Sequence, residues 1–172
     1  MEVTTCVTSF FSPKKYRTMN PNVPISSIMT RNMVTVRADD TARKIREIFK
    51  THSFHHIPVT DSGEKLIGII SKEDFFRIAY LLSLDSAGRT YANKVYEHLP
   101  AEQFMTKYPV QLDPDDSIGL AADIFLANKF HALPIVEDGV LIGLVTSHDL
   151  LQYSFESPVE PEAELELDDS IE

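Results

Sequence analysis

The sequence predicts an α/β fold made of two tandem βαββα halves that pack as a pseudo-two-fold-symmetric pair. The first observation is an internal repeat, because Met29-Thr30 recurs 76 positions later as Met105-Thr106. The second is that a short apolar segment containing proline, at 57–59 and at 133–136, occupies the same place in each copy. A repeat of this length indicates a duplicated supersecondary unit, whose copies bury a core by packing together.

Each half begins with a short predicted strand, at 33–36 in the first copy and at 109–112 in the second. Two acidic residues and a hydroxyl residue follow, as Asp39-Asp40-Thr41 and as Asp115-Asp116-Ser117. Their side-chain oxygens accept from free backbone N–H groups, and their negative charge suits the positive end of a helix, so a helix is predicted to begin here. Apolar residues at three-to-four spacing then mark one buried face of that helix.

The second part of each half is predicted to be a hairpin followed by another helix. The proline strand leads through a turn of acidic residues and glycine into a fully apolar strand, at 66–70 or at 140–145. The helix after the first of these strands is apolar nearly all round over 75–84. A surface helix keeps a polar face, so this helix is expected to be covered on two sides, either by a second chain or by the segment 85–103 folding back.

The repeat divides the chain into five parts. These are an N-terminal arm (1–24), a first motif (25–84), a linker (85–100), a second motif (101–155) and an acidic tail (156–172). The tail carries eight acidic residues and no lysine or arginine, so the net charge of −10 becomes −2 without it. Such a segment buries too little apolar surface to offset its ordering entropy, and the tail is predicted to be disordered.

Composition limits the class of protein. The nearly neutral body has no basic stripe, so nucleic acid is not expected as a partner. No apolar run reaches the roughly 18 residues of a membrane span, and Cys6 is the single cysteine, so a reducing cytoplasm is the expected compartment. In the arm, Phe10-Phe11 and the basic cluster at 14–17 fit either packing on the body or a weak contact with a membrane or partner.

The ordered set of Met-Thr, strand, helix, apolar-Pro-apolar and apolar-Gly-apolar-apolar-[Ser/Thr]-x-x-Asp occurs twice and resembles the CBS motif. The resemblance covers roughly residues 25–155. It implies two motifs packed around a pseudo-two-fold axis, with clefts between them that often bind adenine nucleotides. It also implies partners that are usually enzymes, transporters or a second copy of the module, so a homodimer and an unidentified protein partner are expected.

Two stretches place an acid three positions after a hydroxyl, Ser71 with Asp74 and Thr146 with Asp149. A helix N-terminus offers free N–H groups to phosphate oxygens, and a carboxylate can accept from both hydroxyls of a ribose. By resemblance, the two hydroxyls touch phosphate and the two acids hold ribose. The same spacing also fits a capping box, in which the hydroxyl and the acid satisfy the backbone at the helix start. Both interpretations are kept, since one does not exclude the other.

Histidines precede the proline strand in both copies, as His55-His56 and as His131. Some nucleotide-binding members of the family carry His-Arg there, directed at phosphate. Here His56 and Ala132 stand in place of the arginine, which weakens the charge offered to a phosphate. The alternatives are histidines packed for structural reasons, or a metal site made by His52 with His55 and His56. The full set of candidate ligand-binding residues is Thr35, His55, His56, Pro58, Ser71, Asp74, His131, Pro134, Thr146 and Asp149.

These residues support three hypotheses about function. The first is an adenine-nucleotide sensor that binds AMP, ADP or ATP in the clefts and modulates a partner. The second is a dimeric interaction scaffold without a ligand, and the third is a module that binds S-adenosylmethionine or a metal. No catalytic motif for a nucleophile, a P-loop or a zinc protease is present, so the chain is not expected to be an enzyme or to require a cofactor.

Overall fold

The computed structural model describes residues 20–84, 98–128 and 131–156. The arm up to residue 19, the linker over 85–97 and the tail from residue 157 lie outside the described residues, and so do the predictions made for them. None of the helices in the described ranges is both long and apolar enough to cross a bilayer.

The first half has the predicted βαββα order, although its first strand begins at Val36 and not at residue 33 as predicted. Its elements are β1 (Val36–Arg37), α1 (Ala42–Thr51), β2 (His56–Thr60), β3 (Leu66–Ser71) and α2 (Lys72–Leu84). The predicted helix start is confirmed, because the Thr41 side chain accepts a hydrogen bond from the Lys44 N–H. This is the bond that makes threonine a favourable residue at the N-cap.

The second half repeats this order except at its first strand. Its elements are β4 (Thr106–Lys107), α3 (Ile118–Ala127), β5 (Ala132–Glu137), β6 (Val140–Thr146) and α4 (Ser147–Glu156). The prediction of a strand at 109–112 is wrong, since only Leu112 pairs there, in a single parallel bridge to Ile135. Pro109 has no N–H to donate to a ladder, and the chain turns directly after Leu112, where the Asp113 N–H donates to the Asp116 carboxylate at 2.8 Å.

The strands form two sheets, and the larger sheet mixes parallel with antiparallel pairing. One sheet has the order β1-β2-β3-β4, in which β1 pairs parallel to β2 and the other neighbours are antiparallel. The other sheet joins β5 to β6 antiparallel. Leu112 extends β5 by its parallel bridge, and Thr30 extends β6 by an antiparallel bridge to Leu144.

The two halves exchange their leading segments. Strand β4 begins the second half but pairs with β3 of the first half. Conversely, Thr30 belongs to the first half but exchanges two backbone hydrogen bonds with Leu144 of β6, at 2.9 and 3.0 Å. Each sheet therefore includes one segment from the other half, which joins the halves through backbone hydrogen bonds.

At each crossing, where a leading segment pairs with the sheet of the other half, a methionine packs against a glycine. A Cβ atom on Gly68 would lie 2.5 Å from the Met105 Sδ, and one on Gly143 would lie 2.4 Å from the Met29 Sδ. Carbon and sulfur need more than 3 Å of separation, so the backbone of each apolar strand can approach the crossing segment only where it carries no side chain. The Met-Thr and Gly elements of the repeat thus have a shared structural role.

The segments before the methionines close over the opposite half in the same way. In the first 3₁₀ turn (Ile25–Ser27), the Ile25 N–H donates a hydrogen bond to the Asp116 carbonyl at 2.7 Å. In the second 3₁₀ turn (Ala101–Gln103), the Ala101 N–H donates a hydrogen bond to the Asp40 carbonyl at 2.8 Å. As a result Ala101 is buried in the core of the first half, and Ile25 in the core of the second.

Candidate ligand-binding cleft

A cleft of about 690 Å³ lies where the two halves meet. Its lining comes from the leading segment of the first half, from the residues around the start of β2, and from the β3–α2 and β6–α4 junctions. The lining residues are Thr30, Asn32, Met33, Val34, Ser53, Phe54, His55, His56, Ser71, Glu73, His131, Leu144, Thr146, Ser147, His148 and Asp149. A volume of this size falls within the range of small-molecule sites.

The pair Thr146 and Asp149 is positioned by the junction of a strand and a helix. Thr146 is the last residue of β6, and α4 begins at the next residue. The Thr146 N–H and hydroxyl both donate to Asp149 Oδ2 at 2.7 Å, and the Asp149 N–H donates back to the hydroxyl at 3.3 Å. This is the reciprocal bonding of a capping box. The described residues place no donor on Asp149 Oδ1, so one carboxylate oxygen is left for a ligand.

The equivalent pair in the first half differs at its acid. Ser71 ends β3, and its hydroxyl donates to Asp74 Oδ2 at 2.7 Å and accepts from the Asp74 N–H at 3.0 Å. The second oxygen of this acid, Oδ1, forms an ion pair with Arg77 one turn along α2. Ser71 lines the cleft but Asp74 does not. Of the two hydroxyl–acid pairs, only Thr146 and Asp149 therefore present both members to this cleft.

Four histidines supply most of the ionisable lining. His55, His131 and His148 are exposed at the cleft, whereas His56 is partly buried between the halves. Burial, together with the charges of His55 and His131 beside it, lowers the pKa of His56 from 6.5 to about 4, against the opposing attraction of Asp74. His56 is therefore neutral at physiological pH and offers a hydrogen bond without a charge.

Six of the ten candidate residues line this cleft and four do not. Those that line it are His55, His56, Ser71, His131, Thr146 and Asp149. Asp74 is one of the four that do not line it. Pro58 and Pro134 are two more, and both are buried within strands, Pro58 in β2 opposite Ile69 and Pro134 in β5 opposite Leu144. Thr35 is exposed just before β1 and is not part of the lining.

Several lining residues are not among the candidates predicted from the sequence. Asn32, Met33 and Val34 lie on the segment that Thr30 fixes to β6, so they reach the cleft through the exchange between halves. The recurrence of the Met-Thr pair in the repeat marks this segment as part of the motif. The sequence pattern does not show which half the segment pairs with. His148 was also missed, although it stands between the two residues of the Thr146–Asp149 pair.

A metal site is not supported by the described residues, among which no group of three or more metal-binding side chains is found. His52, one of the three histidines considered for such a site, lies outside the cleft. Its Nδ1 is 3.0 Å from the Ile48 carbonyl oxygen, and its ring stacks on Phe54 with the ring centroids 4.9 Å apart. This histidine ends α1 and packs against the adjoining loop.

Known proteins provide an independent test of the family. The family model for the CBS domain matches residues 25–80 and 101–156 of the chain. An uncharacterized 17.7 kDa protein of Acidianus ambivalens is 30% identical over 127 residues, which cover 73% of this chain and 70% of that protein. Other curated relatives include inosine-5'-monophosphate dehydrogenases and homoserine O-acetyltransferases, of whose length the matching region is about a quarter.

Solved structures share the fold. CBSX2, a CBS-pair protein of Arabidopsis thaliana, has been solved in complex with AMP. That complex is 23% identical with a TM-score of 0.65, and the match covers 77% of this chain and 96% of that one. The CBS domain pair of protein MJ0100, in complex with 5'-methylthioadenosine and S-adenosyl-L-methionine, is 21% identical with a TM-score of 0.62, over 77% and 95% of the two chains.

Proposed function

The chain belongs to the CBS domain family, and we propose that it is a regulatory module that binds an adenosine-containing ligand in the cleft between its halves. CBS domain pairs are regulatory modules, so the ligand acts by changing the contact with a partner and undergoes no reaction here. The expectation of a cytoplasmic location, which rests on the single cysteine, is part of this proposal.

The observation that carries the proposal is the geometry of Thr146 and Asp149. Both line the cleft, and one Asp149 oxygen is left for a ligand by the capping box that occupies the other. A carboxylate oxygen at the rim of a cleft is suited to accept from ribose hydroxyls. The capping box and the ligand site are thus compatible interpretations of one pair.

The remaining lining supplies complementary surfaces. Met33, Val34 and Leu144 give an apolar wall beside the pair, and we assign the adenine base to it. Four histidines line the same cleft, and we assign a 5'-substituent of the ligand to them. The ligands of the two solved relatives share adenosine and differ in that substituent, which is why the proposal commits to the adenosine part.

The test is a thermal-shift panel of AMP, ADP, ATP and S-adenosylmethionine on wild type, Asp149→Ala and Asp74→Ala. A ligand at about 100 times its Kd adds ~2.7 kcal/mol to the free energy of unfolding, which raises Tm by roughly 5–10 °C for a chain of this size. We expect Asp149→Ala to remove most of that shift and Asp74→Ala to retain it, because Asp74 does not line the cleft.

The paired variants separate ligand binding from capping. Each loses a carboxylate that bonds the hydroxyl three residues before it, so each should lower the stability of the unliganded protein by about 1 kcal/mol or less. Wild-type protein that shows no shift with any of the four ligands would contradict the proposal. Equal loss of the shift in both variants would contradict the assignment to Asp149.

A dimeric form of the module is supported by a separate observation. Phe76 and Tyr80 of α2 occupy the same repeat positions as Leu151 and Phe155 of α4, and all four side chains are exposed. The inner face of α2 is covered within the chain, since the Phe75 ring lies 5.6 Å from that of Phe104. Burial of the outer apolar residues stabilises association, so we propose a homodimer through α2 and α4, with an unidentified protein as the regulated partner.

A further inference from the structure

The ionisable groups of the cleft are unusual for a phosphate site. Among the described residues, no lysine or arginine lines it, and its only groups that can become cationic are His55, His56, His131 and His148. Two carboxylates, those of Glu73 and Asp149, line the same space. A nucleotide with several phosphates would therefore meet fixed negative charge, with no permanent cation from these residues to offset it.

The backbone at the helix start offers little compensation. In the first turn of α4, the Ser147 N–H already donates to the His131 carbonyl at 3.2 Å, and the Asp149 N–H donates to the Thr146 hydroxyl at 3.3 Å. The described contacts leave the His148 N–H for an anion. A single N–H group does not replace the charge of an arginine, so recognition of a phosphate falls to the imidazoles.

We propose that the cleft selects its ligand by charge, taking adenosine or AMP in preference to ATP at neutral pH and taking up protons on its histidines when it binds a phosphate. The proposal rests on the function proposed above and concerns the same cleft. Its basis is the lining itself, in which histidines are the only groups among the described residues that can become cationic.

The sign of the pH dependence follows from linkage. A phosphate placed against an imidazole favours the protonated ring, so the complex binds more protons than the free protein. Affinity for AMP must then rise as pH falls, whereas affinity for adenosine changes little. His56 contributes least, because burial lowers its pKa to about 4 against the opposing attraction of Asp74. The other charged groups of the cleft are the carboxylates of Glu73 and Asp149.

The experiment is isothermal titration calorimetry with adenosine, AMP and ATP at about pH 8 and about pH 6. At the higher pH we expect ATP to bind at least roughly tenfold more weakly than AMP. For AMP we expect affinity to increase roughly tenfold at the lower pH, which corresponds to uptake of about half a proton per ligand across the interval. The phosphate itself loses charge over this range, which opposes the gain, so an increase reports the protein.

Two variants locate the protons. His131→Gln and His55→Gln replace exposed rings with neutral side chains that still form hydrogen bonds, and each should reduce the gain in AMP affinity that wild type shows at the lower pH. The matched control is His98→Gln, since His98 is exposed but does not line the cleft. Unfolding curves confirm that each variant is folded.

The outcomes distinguish this inference from the function on which it rests. ATP binding as tightly as AMP at about pH 8, or AMP binding that does not change with pH, would overturn charge selection and leave an adenosine-binding module. Binding of none of the three ligands at either pH would overturn both. A gain in AMP affinity that persists in both cleft variants would show that the protons are taken up elsewhere, and it too would overturn the inference.

Discussion

A single added methyl group tests whether the two halves are joined by exchange of their leading segments. Gly68 lies in the middle of β3, and its Cα faces the side chain of Met105, which arrives from the second half. The change Gly68→Ala places a Cβ atom against that side chain. Because Met105 arrives from the other half, this substitution at a buried position must disturb the contact between the halves.

The structure gives the size of the effect. The new Cβ would lie 2.5 Å from the Met105 Sδ, 2.9 Å from its Cγ and 3.0 Å from the Thr106 carbonyl oxygen. Met105 can move, but Thr106 is held in the strand pair opposite Ile69. Overpacking of this kind costs about 1–3 kcal/mol, which lowers Tm by roughly 2–12 °C for a chain of this length.

A double-mutant cycle identifies the partner. Met105→Ala removes the sulfur that the new methyl group meets, so Gly68→Ala should cost less in that background than in wild type. We expect a coupling free energy of about 1 kcal/mol or more, measured by urea unfolding of the four proteins. The equivalent cycle of Gly143 with Met29 should behave in the same way, because a Cβ on Gly143 would lie 2.4 Å from the Met29 Sδ.

The control is Gly63→Ala, in a turn of the first half. A Cβ atom there would have Asp61 Oδ1 as its nearest neighbour at 3.5 Å, which is an ordinary contact. Its effect should stay within about 0.5 kcal/mol. An unchanged Tm for Gly68→Ala, or additive effects in both cycles, would refute the crossing of the segments as described.

Three further predictions concern pH, the dimer and the tail. Because burial lowers the pKa of His56 to about 4 in the folded protein, its contribution to the free energy of unfolding is fully present above pH 6.5. That contribution should fall by roughly 3 kcal/mol as pH drops from 6.5 to 4, and His56→Gln should flatten that part of a Tm–pH curve. Leu151→Glu should convert the proposed dimer to a monomer in light scattering, while Leu126→Glu, on a different exposed helix, should not. Deleting 157–172 should leave Tm unchanged, and a large decrease would mean that the tail packs on the body.

Much of the fold follows from local patterns. The repeat predicts two βαββα halves, and the hydroxyl and acidic residues predict the helix starts, because N-caps depend on contacts within one turn. Ser71 and Thr146 lie at the strand-to-helix junctions where the repeat places them. The failed strand at 109–112 is also local in origin, since proline removes a donor that an apolar pattern alone does not reveal.

The difference between the two hydroxyl–acid pairs could be predicted from the sequence only in part. The two pairs have the same spacing in the sequence, and both form capping boxes. Arg77 stands three residues after Asp74, a distance at which side chains on a helix meet, so the ion pair could have been anticipated. That Asp74 lies outside the cleft while Asp149 lines it could not, because this depends on the packing of the opposite half.

Residues close together in the chain are enough to predict the duplicated α/β architecture, the membership of the family and the hydroxyl–acid pairs. Which of these residues face one another depends instead on long-range packing. Two halves with the same pattern offer equivalent partners to a leading segment, so the pattern is silent on whether Thr30 pairs within its own half or across to Leu144. That choice is made by the long-range packing of Met29 and Met105 against glycine, and it brings 32–34 beside Thr146 and Asp149.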